Sequence, residues 1–174
     1  MTEPVLNAPR KLEKGDRGKL SSFSSGVDEL DEWFRKFAWE SQAANNAVTY
    51  VATLDDGTLV GFYALCSAGI SREHAPAKFA QGKPKDIPCI LLARLAVDQR
   101  FQGQRLGRHL LRDAISRAIT ASESIAAACL LIHARDDAAK AFYLKNADFL
   151  ESPVNELHLV LPIKTARQFG FGAG

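Results

Sequence analysis

Apolar residues recur every three or four positions in three parts of the chain, and this spacing predicts helices. The first helix is predicted over residues 27–44 and ends at an Asn-Asn pair that starts with Asn45. The second and longest is predicted over residues 105–121. A third, short helix is predicted over residues 138–145, because the aspartate pair that starts with Asp136 is suited to capping its first turn.

Five shorter runs are rich in apolar and β-branched residues and predict strands, over residues 47–54, 59–70, 89–97, 125–133 and 155–163. The fourth run is apolar until its last residue, which predicts a strand covered on both faces. An Asp-Gly pair ending at Gly57 predicts a hairpin turn between the first two strands. One further edge strand is expected within residues 1–20.

The order of these elements predicts an α/β fold with a sheet of mixed direction in a single domain, residues 1–174, whose ordered core covers about 12–163. The strands on either side of the longest helix are expected to be parallel, with a right-handed crossover. Residues 71–88 hold three prolines and three lysines and predict a long loop with one helical turn near 75–79. The tail over residues 167–172 is expected to be weakly ordered.

Composition narrows the class of protein. The chain has 47% apolar and 24% charged residues and a net charge of +2, as in ordinary globular domains. No apolar run approaches the roughly 20 residues that cross a bilayer, and the polar N-terminus is unlike a secretory signal. Cys66, Cys89 and Cys129 stand singly in apolar runs, which predicts buried thiols in a reducing cytosol. We therefore expect a cytoplasmic protein that uses neither a metal nor a membrane.

The end of the predicted strand over residues 89–97 is the strongest candidate for a binding site. Asp98 ends the apolar run, a polar loop with Gly103 and Gly107 follows, and the longest helix begins. A strand, a glycine-containing turn and a helix N-terminus together present backbone N–H groups to an anion, usually a phosphate. Six arginines against two aspartates between Arg94 and Arg117 make the segment basic, which suits a phosphorylated ligand.

This segment resembles the acyl-CoA loop of the GNAT acetyltransferases, which has the pattern Gln/Arg-x-x-Gly-x-Gly/Ala. Gln102 and Gly107 match the ends of the pattern, whereas Arg105 replaces its middle glycine. If this position needs a positive φ, a Cβ there costs on the order of 1 kcal/mol. We favour the alternative that Arg105 is already helical, so that it is unstrained and its guanidinium reaches a CoA phosphate. The resemblance implies a GNAT-type acyl-CoA N-acyltransferase fold, a mixed central sheet flanked by helices, and acetyl-CoA as co-substrate.

The resemblance also implies roles for individual residues. The central strand is expected to separate from its neighbour after Val97 and leave backbone groups free for pantetheine at Leu95, Ala96 and Val97. The loop is expected to hold the pyrophosphate through Gln102, Gly103, Gln104, Arg105, Leu106, Gly107 and Arg108. Phe142 is expected to pack near the cofactor. Tyr143 is expected to protonate the CoA thiolate as general acid, since a phenol has a pKa of about 10.

Other motifs make the chain similar to one branch of this superfamily, the GNAT toxins of toxin–antitoxin modules. In chain order they are Phe23-x-x-Gly26, Leu30-Asp31-x-Trp33, Gly61-Phe62-Tyr63-Ala64-Leu65, Arg94-Leu95-Ala96-Val97-Asp98 and Ala141-Phe142-Tyr143. The sequence departs from the branch at Ser25, often a cysteine, and at Ala147, commonly a glycine. Such toxins acetylate the α-amine of aminoacyl-tRNA and block translation. The resemblance implies an antitoxin of ribbon–helix–helix type as partner, and a homodimer.

Several alternatives stay open at this point. Acetyl transfer to a small amine or a protein N-terminus is one, and a non-catalytic acyl-CoA-binding module, against which Tyr143 argues, is another. His133 is the candidate for a general base, with a structural histidine as the favoured alternative. Arg94 interrupts an apolar strand and needs a partner, either a neighbouring acid or the acceptor end of tRNA. The lysines of residues 71–88 are further candidates for contacts with tRNA phosphates.

Overall fold

The computed structural model describes residues 5–168, and the contacts between residues divide the chain into two units. The first unit holds the residues up to Cys66 together with Arg94–Asp113, and the second holds Ser67–Ala93 and the residues from Ala114 onward. Three elements begin in one unit and end in the other: β3 (Leu59–Ser71), β4 (Asp86–Val97) and α4 (Leu106–Ser124).

The first unit begins with β1 (Arg10–Lys11), a 3₁₀ helix (Lys14–Ser22), α1 (Asp28–Lys36), α2 (Ala38–Ala43) and β2 (Val48–Thr53). Its strands are antiparallel: β1 pairs with β2, and β2 pairs with the start of β3 through a turn in which Gly57 has a φ of 86°. The predicted edge strand and Asp-Gly hairpin are therefore confirmed. The end of β4, a 3₁₀ turn (Gln99–Phe101) and the start of α4 complete the unit.

The helix predicted over residues 27–44 is two helices, because the chain turns at Phe37. The turn keeps both Phe34 and Ala38 fully buried, while Phe37 itself is 51% exposed. The predicted end at Asn45 is confirmed. This residue has a φ of 59°, in the left-handed region that asparagine tolerates better than most residues.

The second unit also holds a 3₁₀ helix (Arg72–His74), α3 (Ala77–Ala80), β5 (Cys129–His133), α5 (Asp137–Asn146), β6 (Leu150–Glu151), β7 (His158–Pro162) and α6 (Ile163–Gln168). Its strands run in mixed directions and lie in the order β4-β5-β7-β6. Strands β4 and β5 are parallel and flank α4 in sequence, as predicted, whereas β7 is antiparallel to both of its neighbours.

The strand predicted over residues 125–133 starts four residues late. Ile125 is 82% exposed, and its N–H donates to the carbonyl of Ala121, so it closes the last turn of α4. The three alanines that follow have little strand preference, and β5 begins only at Cys129. Strand β6 and helix α6 were not predicted. The tail predicted to be weakly ordered begins inside α6, at Arg167 and Gln168, and its other residues lie outside the described part of the chain.

Each unit has its own apolar core. In the first, the rings of Phe34 and Phe62 stack with centroids 4.1 Å apart, and Phe23 meets both edge-on. In the second, Cys89 and Cys129 are neighbours in the β4–β5 ladder, with their sulfurs 3.2 Å apart. Cys66 is only partly buried, so the prediction of buried thiols is confirmed for two of the three cysteines. No helix within residues 5–168 is both long and apolar enough to cross a bilayer.

Candidate active site

The ladder between β4 and β5 ends at the pair Leu92–Ile132, five residues before β4 itself ends at Val97. The prediction that these strands separate only after Val97 is therefore wrong. Strand β5 continues for only one residue past the last pair and ends at His133. The part of β4 that follows Leu92 includes Leu95 and Ala96, which the sequence assigns to pantetheine.

The carbonyl of Val97 accepts a hydrogen bond within the chain, contrary to the prediction that its backbone groups are free. The side-chain amide of Gln102 donates to the carbonyl of Val97 at 2.9 Å and to the carbonyl of Ser25 at 2.8 Å. Both of its N–H groups are thereby directed at protein carbonyls. Gln102 thus fixes the loop to the end of β4 and to the turn before α1. Its side-chain donors are already used, so the donor that remains for a ligand is its backbone N–H.

The carboxylate that begins this loop, Asp98, is buried, with 2% of the residue's surface exposed. Its carboxylate accepts from the backbone N–H of Ser24 at 3.1 Å and from the backbone N–H and Nε of Arg100, each at 3.0 Å. Burial alone would raise the pKa of Asp98. The hydrogen bonds from Arg100 and Ser24 outweigh burial and hold the pKa below its usual value.

Two loop residues have left-handed backbones, Gly103 with a φ of 82° and Arg105 with a φ of 63°. The prediction that Arg105 is already helical is wrong, because α4 begins one residue later, at Leu106. Arg105 is the N-cap residue instead: its carbonyl accepts from the N–H of His109 at 3.3 Å. The glycine that stands here in the GNAT pattern would avoid a strain on the order of 1 kcal/mol.

The loop is open to a ligand. Gln102, Gly103, Gln104, Arg105 and Arg108 are exposed, and Leu106 and Gly107 are half-buried. A Cβ built at Gly103 would meet nothing within 4 Å. Exposed guanidinium groups beside the unpaired N–H groups of a helix start suit a diphosphate such as that of CoA.

Arg94 stacks on an aromatic ring instead of pairing with an acid. Its guanidinium carbon lies 4.2 Å from the ring centroid of Trp33 on α1. Within residues 5–168 the guanidinium makes no hydrogen bond or ion pair, although Glu29 is close enough to act on it through charge. Partial burial lowers the pKa of Arg94, and Glu29 opposes that shift. The structure therefore excludes the salt bridge and leaves the donors of Arg94 available.

In the second unit, Tyr143 lies on α5, where Asp136 caps the helix by accepting from the N–H of Ala139 at 2.8 Å, as predicted. The Tyr143 ring packs edge-on against Phe142 and Phe149, with centroids 5.2 Å and 6.0 Å away. Burial raises the pKa of Tyr143 to about 12. The residue is 8% exposed.

The hydroxyl of Tyr143 is not sealed from solvent. It has no hydrogen-bond partner in the described part of the chain, and the one unpartnered side-chain oxygen there that is sealed from solvent is Oγ1 of Thr49. The phenol of Tyr143 is therefore embedded in apolar surroundings with its oxygen still accessible. Such a group is a weak acid that stays protonated at neutral pH and can donate to a ligand atom.

His133 ends β5 and stacks on its ladder partner His158, with ring centroids 3.9 Å apart. Desolvation lowers the pKa of His133, and the charge of His158 lowers it further. Desolvation likewise lowers the pKa of His158, with a contribution from His74. Both rings are therefore held neutral at pH 7. Among residues 5–168 no group of three His, Cys, Asp or Glu side chains is placed to hold a metal ion.

The predicted residues fall into two groups. Arg94, Leu95–Val97 and the loop from Gln102 to Arg108 belong to the first unit, whereas Phe142 and Tyr143 belong to the second. Sequence reasoning missed the partners of these residues: Trp33 under Arg94, Ser24 and Ser25 bound to the loop, and His158 against His133. Trp33 stands beside the apolar stripe of α1, and that position is the one signal that could have indicated it.

Comparisons with known proteins show the family of the chain. Residues 18–149 match the model of the acetyltransferase (GNAT) family. The chain is 44% identical to a tRNA-acetylating toxin of Mycobacterium tuberculosis, over 92% of this chain and 95% of the relative. It is 30% identical to a probable toxin TacT of Sinorhizobium fredii, over 87% of this chain and 89% of the relative.

Two solved structures share the fold. AtaT complexed with acetyl-methionyl-tRNAfMet has a TM-score of 0.87 and 23% identity, with 95% of this chain and 99% of that chain covered. A tyrosine-to-phenylalanine mutant of AtaT, bound to the C-terminus of the antitoxin AtaR and acetyl-CoA, has a TM-score of 0.77 and 23% identity, with 95% and 97% covered. The predicted GNAT fold, a mixed sheet flanked by helices, is confirmed.

Replacing Asp98 by Asn removes the charge from a carboxylate that accepts several hydrogen bonds. We expect the free energy of unfolding to fall by about 1–3 kcal/mol in urea denaturation at pH 7. Because the pKa of Asp98 is lowered in the folded protein, the difference from wild type persists above about pH 4 and shrinks as the pH falls through that lowered pKa. The exposed Asp55→Asn variant is the control, and an equal loss there would contradict the assignment.

Replacing Arg105 by Gly or by Ala separates backbone strain from side-chain chemistry. Glycine adopts a φ of 63° without strain, whereas alanine keeps the strain of arginine. We expect the Gly variant to be more stable than the Ala variant by about 1 kcal/mol in thermal or urea unfolding. Equal stabilities would show that the left-handed conformation at residue 105 costs nothing.

Proposed function

The chain belongs to the GNAT acetyltransferase family, and we propose that it is a toxin-type member that transfers acetyl from acetyl-CoA to the α-amine of an aminoacyl-tRNA and so blocks translation. The observation that carries this proposal is the 44% identity to a tRNA-acetylating toxin over nearly the full length of both chains. The accessible phenol of Tyr143 supports it, because acetyl transfer needs an acid for the leaving thiolate.

The reaction forms an amide and breaks a thioester. The neutral α-amine attacks the acetyl carbonyl carbon, the C–S bond breaks, and the thiolate takes a proton from the Tyr143 hydroxyl. The amine gives up its extra proton to water, and the phenol regains one. An α-amine has a pKa of about 7.7–8.0, so a useful neutral fraction exists at pH 7 without a strong base. His133, held neutral beside His158, is the group that would accept the proton if a base is used.

Acetyl-CoA is proposed to bind through the first unit. Its diphosphate would be held by the N–H groups of residues 102–107 and by the guanidinium groups of Arg105 and Arg108. Its pantetheine would pair with the backbone of Leu95 and Ala96, in the part of β4 beyond the β5 ladder. Phe142 would pack near it. Bound acetyl-CoA supplies the activated acetyl group, and Arg94 would contact the acceptor end of the tRNA.

The likeness to toxins implies partners as well. We propose a small DNA-binding antitoxin of ribbon–helix–helix type and a homodimer in the cytoplasm. AtaT, which shares the fold of this chain, is solved with the C-terminus of the antitoxin AtaR, and this supports an antitoxin partner.

A panel of charged tRNAs with labelled acetyl-CoA tests the proposed substrate. Label is expected in the aminoacyl moiety of one or a few of them and to be lost on hydrolysis of the ester to the tRNA. Free amino acids, polyamines and peptides with free N-termini are offered in parallel. Transfer to one of these, with none to any aminoacyl-tRNA, would contradict the toxin function and leave the acetyltransferase activity in place.

The Tyr143→Phe variant removes the proposed acid and keeps the ring. We expect kcat to fall by about 10²–10⁴-fold with little change in KM, since general acid catalysis contributes on that scale. Expression of the wild type is expected to arrest growth, and the variant is expected to relieve the arrest. Tyr50→Phe removes a phenol hydroxyl elsewhere and is the matched control. A fall of similar size in both variants, or in neither, would reject the assignment.

The pH dependence follows from the same residue. Because burial raises the pKa of Tyr143 to about 12, the phenol stays protonated throughout the working range. The rate of acetyl transfer is expected to rise through about pH 7–8 as the amine loses its proton, and to stay level up to about pH 10. A falling limb below that pH in the wild type would show that the acid is another group.

A further inference from the structure

A groove in the second unit is lined by four cationic side chains: Lys78, Lys83, Lys164 and Arg167. We call it the basic groove. Its volume is about 790 Å³, and none of its lining residues in the described part of the chain is acidic. Three consecutive alanines, Ala126–Ala128, and the ring of Phe79 line it as well. The groove is therefore cationic with some apolar surface.

Tyr143 is not among the residues that line the basic groove. Ala128 and Pro162 line it, where the β5–β7 ladder starts with the pair Cys129–Pro162. The same ladder ends at His133 and His158, four residues further along β5, which is about 13 Å at the usual rise of a strand. Helix α5, which carries Tyr143, follows that far end in the chain.

The four cations are not neutralised by the protein. Within residues 5–168 none of them forms an ion pair. Arg167 donates to the hydroxyl of Ser122 at 3.4 Å, and the Nζ atom of Lys83 lies 5.0 Å from the ring centroid of Phe79. Neither contact removes charge. Like charges gathered in one concave surface produce a positive potential that an anionic ligand would relieve.

We propose that the basic groove binds the phosphate backbone of the aminoacyl-tRNA, away from the aminoacylated end. This inference rests on the proposed function. Only the terminal amine takes part in the reaction, and the rest of that substrate carries one negative charge per nucleotide. Flexible lysines without carboxylate partners suit phosphates, and the alanines and Phe79 can take the apolar face of a ribose or a base.

Two exposed lysines on different elements test the proposal, Lys78 on α3 and Lys164 on α6. The double variant Lys78→Gln/Lys164→Gln is compared with Lys11→Gln/Lys14→Gln, which removes the same charge from exposed positions in the first unit. We measure acetyl transfer to full-length aminoacyl-tRNA over a series of salt concentrations. Fluorescence anisotropy with labelled, uncharged tRNA reports binding without any chemistry.

The groove variant is expected to raise KM for aminoacyl-tRNA about 3- to 10-fold at unchanged kcat. The slope of log KM against log salt is expected to fall by about two, because each removed lysine leaves one phosphate without its cation. The control variant is expected to keep the wild-type KM and slope. Equal KM values and salt slopes for both variants would overturn the proposal. A groove variant that binds tRNA normally and loses binding only to poly-L-glutamate would also overturn it, because that result would indicate an acidic protein partner.

The two proposals fail separately. If the wild type acetylates no aminoacyl-tRNA, the proposed function is wrong, and anisotropy with uncharged tRNA still tests the groove. Weaker binding by the groove variant alone would then support a nucleic-acid groove, and unchanged binding would reject it.

Discussion

The loop after β4 depends on one buried carboxylate. Asp98 accepts hydrogen bonds from the backbone of Ser24 and from the backbone and guanidinium of Arg100, and the N–H of Gln99 donates to the carbonyl of Ser24 at 2.8 Å. A turn before α1 and a loop more than seventy residues later are thereby fixed to each other. Because an unpartnered buried charge is costly, this arrangement favours one conformation of the loop over others.

The preformed loop explains how a strained residue can persist at its end. Arg105 keeps a left-handed backbone while Asp98 and Gln102 hold the preceding residues and α4 holds the following ones. Strain of this kind survives where the surrounding structure over-determines the backbone. Glycine would adopt this backbone conformation without strain. What arginine adds at position 105 is therefore its guanidinium group.

Periodicity and turn chemistry were enough to predict much of the fold. The Asp-Gly hairpin, the parallel β4–β5 pair around α4 and the Asp136 cap each follow from local residue chemistry. Errors arose at the ends of strands. Strand β4 continues for five residues past its last pair with β5, and Ile125 closes the last turn of α4, so that the alanines after it connect the helix to β5. That the whole chain is one domain stays a prediction.

The site was predicted as a set of residues but not as a set of contacts. Spacing indicated the loop, and the resemblance indicated Tyr143, yet no local pattern shows that Arg94 stacks on Trp33 or that His133 stacks on His158. These pairs join residues 61 and 25 positions apart in the chain. Periodicity describes neighbours along one element, so contacts of this separation need the folded structure.

The amide of Gln102 has a consequence for how this family is read from alignments. The position of Gln102 in the acyl-CoA loop assigns it to the ligand, yet its side-chain amide donates to two carbonyls of its own chain. Selection on the conformation of the loop and selection on catalysis then act on the same residue. A mutational scan that scores only growth would register the loss of either, so depletion of variants at this position carries no information about which atom touches the nucleotide.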